Sequence, residues 1–392
     1  MTPRASLLIT LLLTGGLALS TLGHADDAAL VARSLVSRGD LGRVQNVLAR
    51  ARRGEKVVVS VIGGSITQGA KASKPELNYG SLIAKWWRET FPQAQVEFVN
   101  AGIGATGSNY AALRARRDLL SKQPDFVVVE FGVNDPNTQQ AAETYEGLLR
   151  QILKQPQQPA AVLMFMMHRN GGNAQEWQSK VGAHYALPMV SFRDALWPEI
   201  EAGRIPWEDV EADEVHPNDR GHAYAAQFVT ALLEGAGTRE HGNAGATATT
   251  LPAALLTDRY EHTALFEAGA LQPVTNEGWT YEAGHGWDAR WQSSQPGNVV
   301  EFEVEGTAVF FMEWHIRGPM GKARVQVDDQ PPLVIDAWFD QTWGGYRLTR
   351  ELARDLPPGR HRVRVELLAE KNANSEGHEF RIMGLGAAGT TE

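Results

Sequence analysis

The 392-residue chain contains no cysteine. That excludes a disulfide-stapled fold, a thiolate nucleophile and thiolate metal ligands, so the folded state must rest on apolar cores. It also closes the route to a lipid-anchored precursor, which needs a cysteine at its cleavage site. No H-E-x-x-H or comparable His/Glu spacing occurs, and neither metal nor organic cofactor is expected. There is no G-x-S-x-G, so a nucleophile elbow of that type is not anticipated. Positive charge is also short. The formal net charge of −9 and pI of about 5.7 argue against a nucleic-acid partner, which would require a basic face.

Long apolar runs are confined to the N-terminus. Arg4 precedes a stretch from Leu7 to Leu22 softened by Thr, Ser and Gly, and Gly23-His24-Ala25 then offers small residues for cleavage. This reads as a secretory signal over residues 1–25, marginal in length for a membrane span. The expectation is a periplasmic or secreted chain with no membrane span once the signal is removed. Its composition, 43% apolar and 21% charged, is that of a globular protein.

The length suggests two domains. From Val57 to Glu234, Val57–Ile62, Val96–Val99, Phe126–Phe131, Val162–Met167 and Met189–Phe192 are short apolar runs suited to strands buried on both faces. Helical spacing fills the gaps over Tyr79–Thr90, Ser108–Leu120, Ala141–Leu153, Ala174–Tyr185 and Asp219–Leu233. Such alternation predicts an α/β fold: a three-layer α/β/α sandwich around a parallel sheet, over residues 26–234. Residues 235–252 are small and polar and read as a linker. Beyond them Val299–Val304, Val309–Trp314, Ala323–Val327 and Arg362–Leu367 are strand-like. In the last run Val363, Val365 and Leu367 alternate with Arg362, Arg364 and Glu366, so residues 253–392 are expected to form an all-β sandwich.

Residues suited to chemistry sit just past the strand ends, where open α/β sheets place their sites. Ser65, in Gly63-Gly64-Ser65-Ile66-Thr67, is a nucleophile if a base takes its proton. Asp213 and His216, three residues apart, can form a carboxylate–imidazole pair, with Asn218 as an N-cap for the helix that follows. Asn134, in Gly132-Val133-Asn134-Asp135, can turn an amide toward an oxyanion. Backbone N–H groups of Ser65 and of Gly104 or Ala105, in Asn100-Ala101-Gly102-Ile103-Gly104-Ala105, are further candidate donors. Each segment alone also reads as an ordinary turn.

Together and in this order, the four segments resemble the blocks of the SGNH (GDSL) hydrolase superfamily, over Lys56 to about Leu233. The resemblance implies Ser65 as nucleophile, His216 as base, Asp213 as its orienter, and an oxyanion hole from Ser65, Gly104 or Ala105, and Asn134. Two departures stand out: Gly-Gly-Ser replaces the common Gly-Asp-Ser, and Ala105 occupies the position five residues after Asn100 where an oxyanion glycine often falls.

The expected activity is that of an exported serine esterase removing short acyl groups, above all acetyl, from a carbohydrate. An O-acyltransferase with the same triad and a non-catalytic glycan-binding protein are the alternatives; oligomeric state is not legible. Gly102-Ile103-Gly104-Ala105-Thr106-Gly107 also matches the dinucleotide fingerprint, with Glu130 in reach of a ribose, but that reading leaves Ser65 and His216 unexplained. His168 and Arg169 read as loop hydrogen-bonding residues first and substrate contacts second, and Trp86, Trp87 and His222 read as structural. Six of the chain's 11 Trp lie beyond residue 253; Trp314 reads as core, and Trp287, Trp338 and Trp343 as exposed-loop residues able to stack on sugars.

Overall fold

The computed structural model describes residues 27–238, 251–285 and 288–390. The expected signal segment, most of the linker and Trp287 lie outside these residues.

Strands β1 (Leu35–Ser37), β2 (Lys56–Gly63), β3 (Gln95–Gly102), β4 (Phe126–Glu130), β5 (Ala160–Phe165) and β6 (Met189–Ser191) form one sheet in the order β1-β6-β5-β4-β2-β3. All pairings are parallel except β1 with β6. Helices α1 (Asp27–Ser34), α2 (Gly42–Arg52), α3 (Ser65–Gln68), α4 (Tyr79–Thr90), α5 (Ser108–Asp118), α6 (Gln139–Leu153), α7 (Gln175–His184), α8 (Phe192–Glu201) and α9 (Asp219–Gly237) accompany it. Because successive strand residues point to opposite faces, Phe126 and Val128 join one core while Val127 and Val129 join the other. The first core is closed by α1, α2, α4, α8 and α9, the second by α5, α6 and α7. Both faces are thus covered, and strands such as Phe126–Glu130 carry continuous apolar runs.

Elements before β2 were not anticipated. Helix α2 was legible, since Val44, Val47, Leu48 and Ala51 follow helical spacing and are buried; β1, at three residues, is too short to show a period. Helix α8 follows β6 with no intervening loop. Helix α9 continues to Gly237, taking in two glycines assigned to the linker, and Arg52 holds the Gly237 carbonyl from α2 (3.2 Å).

The second region contains β7 (Thr263–Glu267), β8 (Thr275–Glu277), β9 (Thr280–Glu282), β10 (Arg290–Ser293), β11 (Val299–Gly306), β12 (Ala308–His315), β13 (Lys322–Val327), β14 (Leu333–Asp336), β15 (Tyr346–Ala353), β16 (Gly359–Leu367) and β17 (Phe380–Ala388). One sheet runs β15-β12-β17-β10-β9, with β7 also on β17; the other runs β14-β13-β16-β11-β8. Every named pairing is antiparallel. Val363, Val365 and Leu367 enter the core between the sheets, as their alternation requires.

The first of these sheets is covered on both faces. Val309 and Phe311 of β12 point into the sandwich, whereas Phe310 and Met312 point out toward Leu113 and Tyr110 of α5. A Cβ on Gly386 of β17 would lie 2.5 Å from the Leu113 side chain, so only glycine admits α5 this closely. Polar contacts seal the rim. Glu146 of α6 accepts the N–H groups of Leu255, Leu256 and Thr257 (2.6, 2.8 and 3.0 Å). Glu267 of β7 pairs with Arg117 of α5 and Arg347 of β15.

Candidate active site

Strand β2 delivers the chain to Gly63-Gly64, and Ser65 opens the single turn of α3. Gly64 is at φ −89°, so its role is close approach: a Cβ there would meet the Asn134 amide at 2.0 Å. Ser65 Oγ lies 2.9 Å from His216 Nε2. On the other side of the ring Nδ1 is 2.9 and 3.0 Å from the two Asp213 oxygens, which fixes the imidazole tautomer that leaves Nε2 to face the serine. Asp213 also accepts the N–H groups of Val215 and His216 (3.0 and 2.9 Å). Burial acts to raise its carboxyl, but the bonds from His216 and these backbone groups outweigh it and hold the group below the usual carboxylate range.

The loop carrying this pair is stapled at both ends. The Ala212 N–H donates to the His216 carbonyl (2.8 Å), and the Trp207 indole donates to the Asp213 carbonyl (2.8 Å). Asn218 caps α9 through the N–H groups of Arg220 and Gly221, as its sequence position implies.

Opposite His216 stand the candidate oxyanion donors. The Ser65 N–H is at a helix start, where backbone donors lack intrahelical partners. The Gly104 N–H already donates to Gln68 Oε1 (2.9 Å). Ala105 follows at φ 55°, the left-handed region that costs an alanine about 1–2 kcal/mol, and its N–H bonds to no described residue. Of the two, Ala105 is the one whose N–H is left free for an oxyanion. Neither end of the Asn134 amide has a partner among the described residues. Asn100 braces the assembly, donating to the Thr67 carbonyl (2.8 Å) and accepting the Gly102 N–H (2.8 Å).

Residues 61–224 match the model of the GDSL-like lipase/acylhydrolase family. A solved two-domain esterase (CEX) active on acetylated mannans is 33% identical, superimposes with a TM-score of 0.85, and the match covers 92% of this chain and 99% of that one. A second structure, of a two-domain esterase (CEX) co-crystallized with mannopentaose, matches with the same identity and TM-score over 98% of its chain. Thioesterase 1/protease 1/lysophospholipase L1 of Escherichia coli (strain K12) is 25% identical over 190 residues, 48% of this chain and 88% of that protein.

The chain belongs to the GDSL-like lipase/acylhydrolase family. It is a serine carboxylic ester hydrolase, and the geometry of this acylhydrolase also disposes of the dinucleotide reading. Glu130 is fully buried, out of reach of any ribose, and the N-terminus of α5, where a pyrophosphate would sit, already holds the Asp135 carboxyl (2.8 Å to the Ser108 N–H).

Three acids around the site of this acylhydrolase have carboxyls pushed upward. Burial raises Glu130 to about 8 and Asp135 to about 7; burial, with the nearby Asp213 charge, raises Glu211 to about 9. Neither oxygen of Glu211 has a partner among the described residues, so at neutral pH this acid is uncharged and Asp213 is the ionised member of the pair. No simple sequence signal separated Glu211 from solvent-facing acids; its burial comes from the Glu211–Pro217 bridge that closes the catalytic loop.

A cleft of about 390 Å³ lies on the Ala105 and Asn134 side of the site, between the α/β domain and Phe310, Arg347, Thr349 and Glu351 of the sandwich; Ser65 and His216 do not line it. Trp343 is 60% exposed and packs with Phe339 and Tyr346, the residue that begins β15 (ring centroids 5.1 and 5.7 Å). Trp338, expected in an exposed loop, is half-buried against the sandwich core. Trp314 belongs to the interdomain cluster with Ile103, Tyr110 and Met312, not to the core between the sheets, because the outward face of β12 is the docking face. His222 is buried, its Nδ1 accepting the Tyr79 N–H (3.4 Å), and Trp87 is core. Arg169 is held by Glu208 and Glu214, the loop tie expected of it.

Proposed function

We propose that this acylhydrolase removes acetyl groups from a polysaccharide or oligosaccharide through Ser65, His216 and Asp213. The observation that carries the reading is the continuous Ser65–His216–Asp213 hydrogen-bond chain, with the Asn134 side chain packed against Gly64 beside the serine. His216 Nε2 takes the hydroxyl proton as Ser65 Oγ attacks the ester carbonyl, and the oxyanion forms toward Ala105, Ser65 and Asn134. On collapse the C–O bond to the sugar breaks, His216 protonates that oxygen, and the acetyl group remains on Ser65. Water, deprotonated by His216, then attacks the acyl-enzyme and releases acetate, restoring the serine. Asp213 stays ionised and stabilises the imidazolium in both halves.

The carbohydrate part of the proposal is supported by the likeness to a two-domain esterase active on acetylated mannans across nearly the whole chain. Trp343, Phe339 and Tyr346 offer an apolar face on which a sugar ring could lie. Export follows from the signal-like N-terminus and belongs to the same proposal. Hydrolysis of 4-nitrophenyl acetate by the chain from Asp26, and acetate release from acetylated mannan and acetylated xylan, test it. Ser65→Ala and His216→Ala should each lower kcat by on the order of 10⁴-fold or more with retained circular dichroism. Undiminished turnover by Ser65→Ala would remove the nucleophile assignment, and acetate release from neither glycan would remove the carbohydrate reading.

A further inference from the structure

The donors proposed to hold the oxyanion come from loops far apart in sequence. Ala105 lies in the Gly102–Gly107 connection between β3 and α5; Asn134 lies in the turn after β4. Something must set the distance between them, because oxyanion stabilisation depends on donors held at fixed separation before the charge develops.

Asp135 is built to do this. Its own N–H and that of Asn134 both donate to the Phe131 carbonyl (3.1 Å each), so the two residues share one tight turn. Helix α5 begins at Ser108 after Gly107, which has no side chain to cap it. The cap arrives from the neighbouring turn instead: Asp135 Oδ1 accepts the Ser108 N–H at 2.8 Å, placing a carboxyl at the positive end of the helix. A Cβ on Gly107 would sit 2.6 Å from that oxygen, so the missing side chain is what allows the approach. Gln178 of α7, 1% exposed, donates to Asp135 Oδ2 at 3.1 Å and fixes the carboxyl from behind. Ala105 is three residues from Ser108, and its loop is tightened further by the Thr106 hydroxyl, which donates to the Ile103 carbonyl (2.7 Å).

We infer that Asp135 is a positioning residue of the esterase: by capping α5 from the Asn134 turn, its carboxyl locks the Ala105 N–H and the Asn134 amide into a single oxyanion cradle. The inference rests on the oxyanion assignment proposed above. It acts through Asn134 and Ala105, and Asp135 itself touches no reacting atom.

The test is a double-mutant cycle in kcat with 4-nitrophenyl acetate, using Asp135→Ala, Asp135→Asn, Asn134→Ala and the Asp135→Ala/Asn134→Ala pair, with Ser65→Ala as reference. Each variant is checked by near-ultraviolet circular dichroism. Asp135→Ala should lower kcat by roughly 30- to 100-fold with KM changed less than about threefold, since the loss is made in the transition state. In the Asn134→Ala background the same change should cost less than about fivefold, because the cradle is already broken. Asp135→Asn keeps an oxygen able to accept the Ser108 N–H and should restore kcat to within about tenfold of wild type. Equal proportional losses in both backgrounds, or an unchanged kcat in a folded Asp135→Ala, would overturn the inference. Should Asp135→Ala misfold, Asp135→Asn decides alone: kcat as low as that of Asn134→Ala would overturn it. Failure of the underlying assignment has a different signature, full activity in Asn134→Ala or Ser65→Ala.

Discussion

Three acids at the catalytic edge of the α/β domain and two acids of the sandwich strike opposite balances between burial and pairing. Around the catalytic edge Glu130, Asp135 and Glu211 are driven upward by burial, and Glu130 and Glu211 keep carboxyl oxygens with no partner among the described residues. In the sandwich, Glu301 and Asp328 are also desolvated, but Arg364 and Thr275 in the one case, and the Arg362 N–H and His361 in the other, more than compensate and hold them below the usual range. The contrast follows the division of labour. Glu130 and Glu211 beside the site are kept neutral at a cost in stability, whereas Glu301 and Asp328, which tie strands together, are paired.

The comparison can be sharpened from its strongest side. Asn134→Ala should reduce kcat by on the order of 10²- to 10³-fold while leaving the melting temperature level or higher, since it removes a buried amide oxygen that has no partner. Activity and thermal melting on the same preparation test both halves; a large drop in melting temperature would mean that Asn134 holds the fold.

Glu211→Gln comes next. The folded state keeps this carboxyl protonated up to about 9, while the unfolded chain ionises it near its ordinary 4.5. The wild type therefore loses stability as pH rises through that window, by an amount on the order of a few kcal/mol. The variant should melt well above the wild type at alkaline pH, and the gap should close toward about pH 4.5. A constant gap would place Glu211 in contact with solvent.

His361 gives the counterpart from the sandwich. Burial opposes its charge, but the Asp328 carboxylate (2.7 Å) and the carbonyls of Pro357 and Gly306 (2.9 and 3.1 Å) raise the imidazole above 6.5. Its contribution is complete below that value and is lost as pH rises through the higher folded one. His361→Gln should thus be least stable relative to wild type in acid, with the difference narrowing above neutrality, in melting curves taken across the range. Glu211→Gln stabilises and His361→Gln destabilises, yet both gain on the wild type as pH rises, because both folded values are raised, one by burial and the other by pairing.

Trp343→Ala should have the smallest effect. If a sugar ring stacks on it as proposed, at about 1 kcal/mol of contact, KM for an acetylated oligosaccharide should rise by roughly fivefold while 4-nitrophenyl acetate is hydrolysed as before. An equal change in both substrates would move Trp343 into the acyl site.

Much of this was legible in the chain. The five apolar runs from Val57 to Phe192 became the parallel strands because strands buried on both faces need continuous apolar residues, and helix periodicity placed α4 at Tyr79–Thr90 without error. Ser65, Asp213, His216 and Asn134 were readable because each follows or precedes a regular element whose end fixes its place. The Asp213–His216 pair in particular closes within three residues. Other features have no local signature. That the Gly104 N–H is taken while that of Ala105 is free depends on Gln68, 36 positions away. Glu211 and Asp135 look like ordinary acids until the loops fold over them. The docking of the sandwich on α5, through Phe310, Met312 and the gap at Gly386, depends on which face of β12 is left over once the two sheets have paired. Periodicity and spacing determined the elements and the reactive groups, because those are short-range properties of the backbone. Only the tertiary structure decided which donors stay unpaired, which acids stay neutral and what walls the cleft, because each depends on residues that the chain brings together from afar.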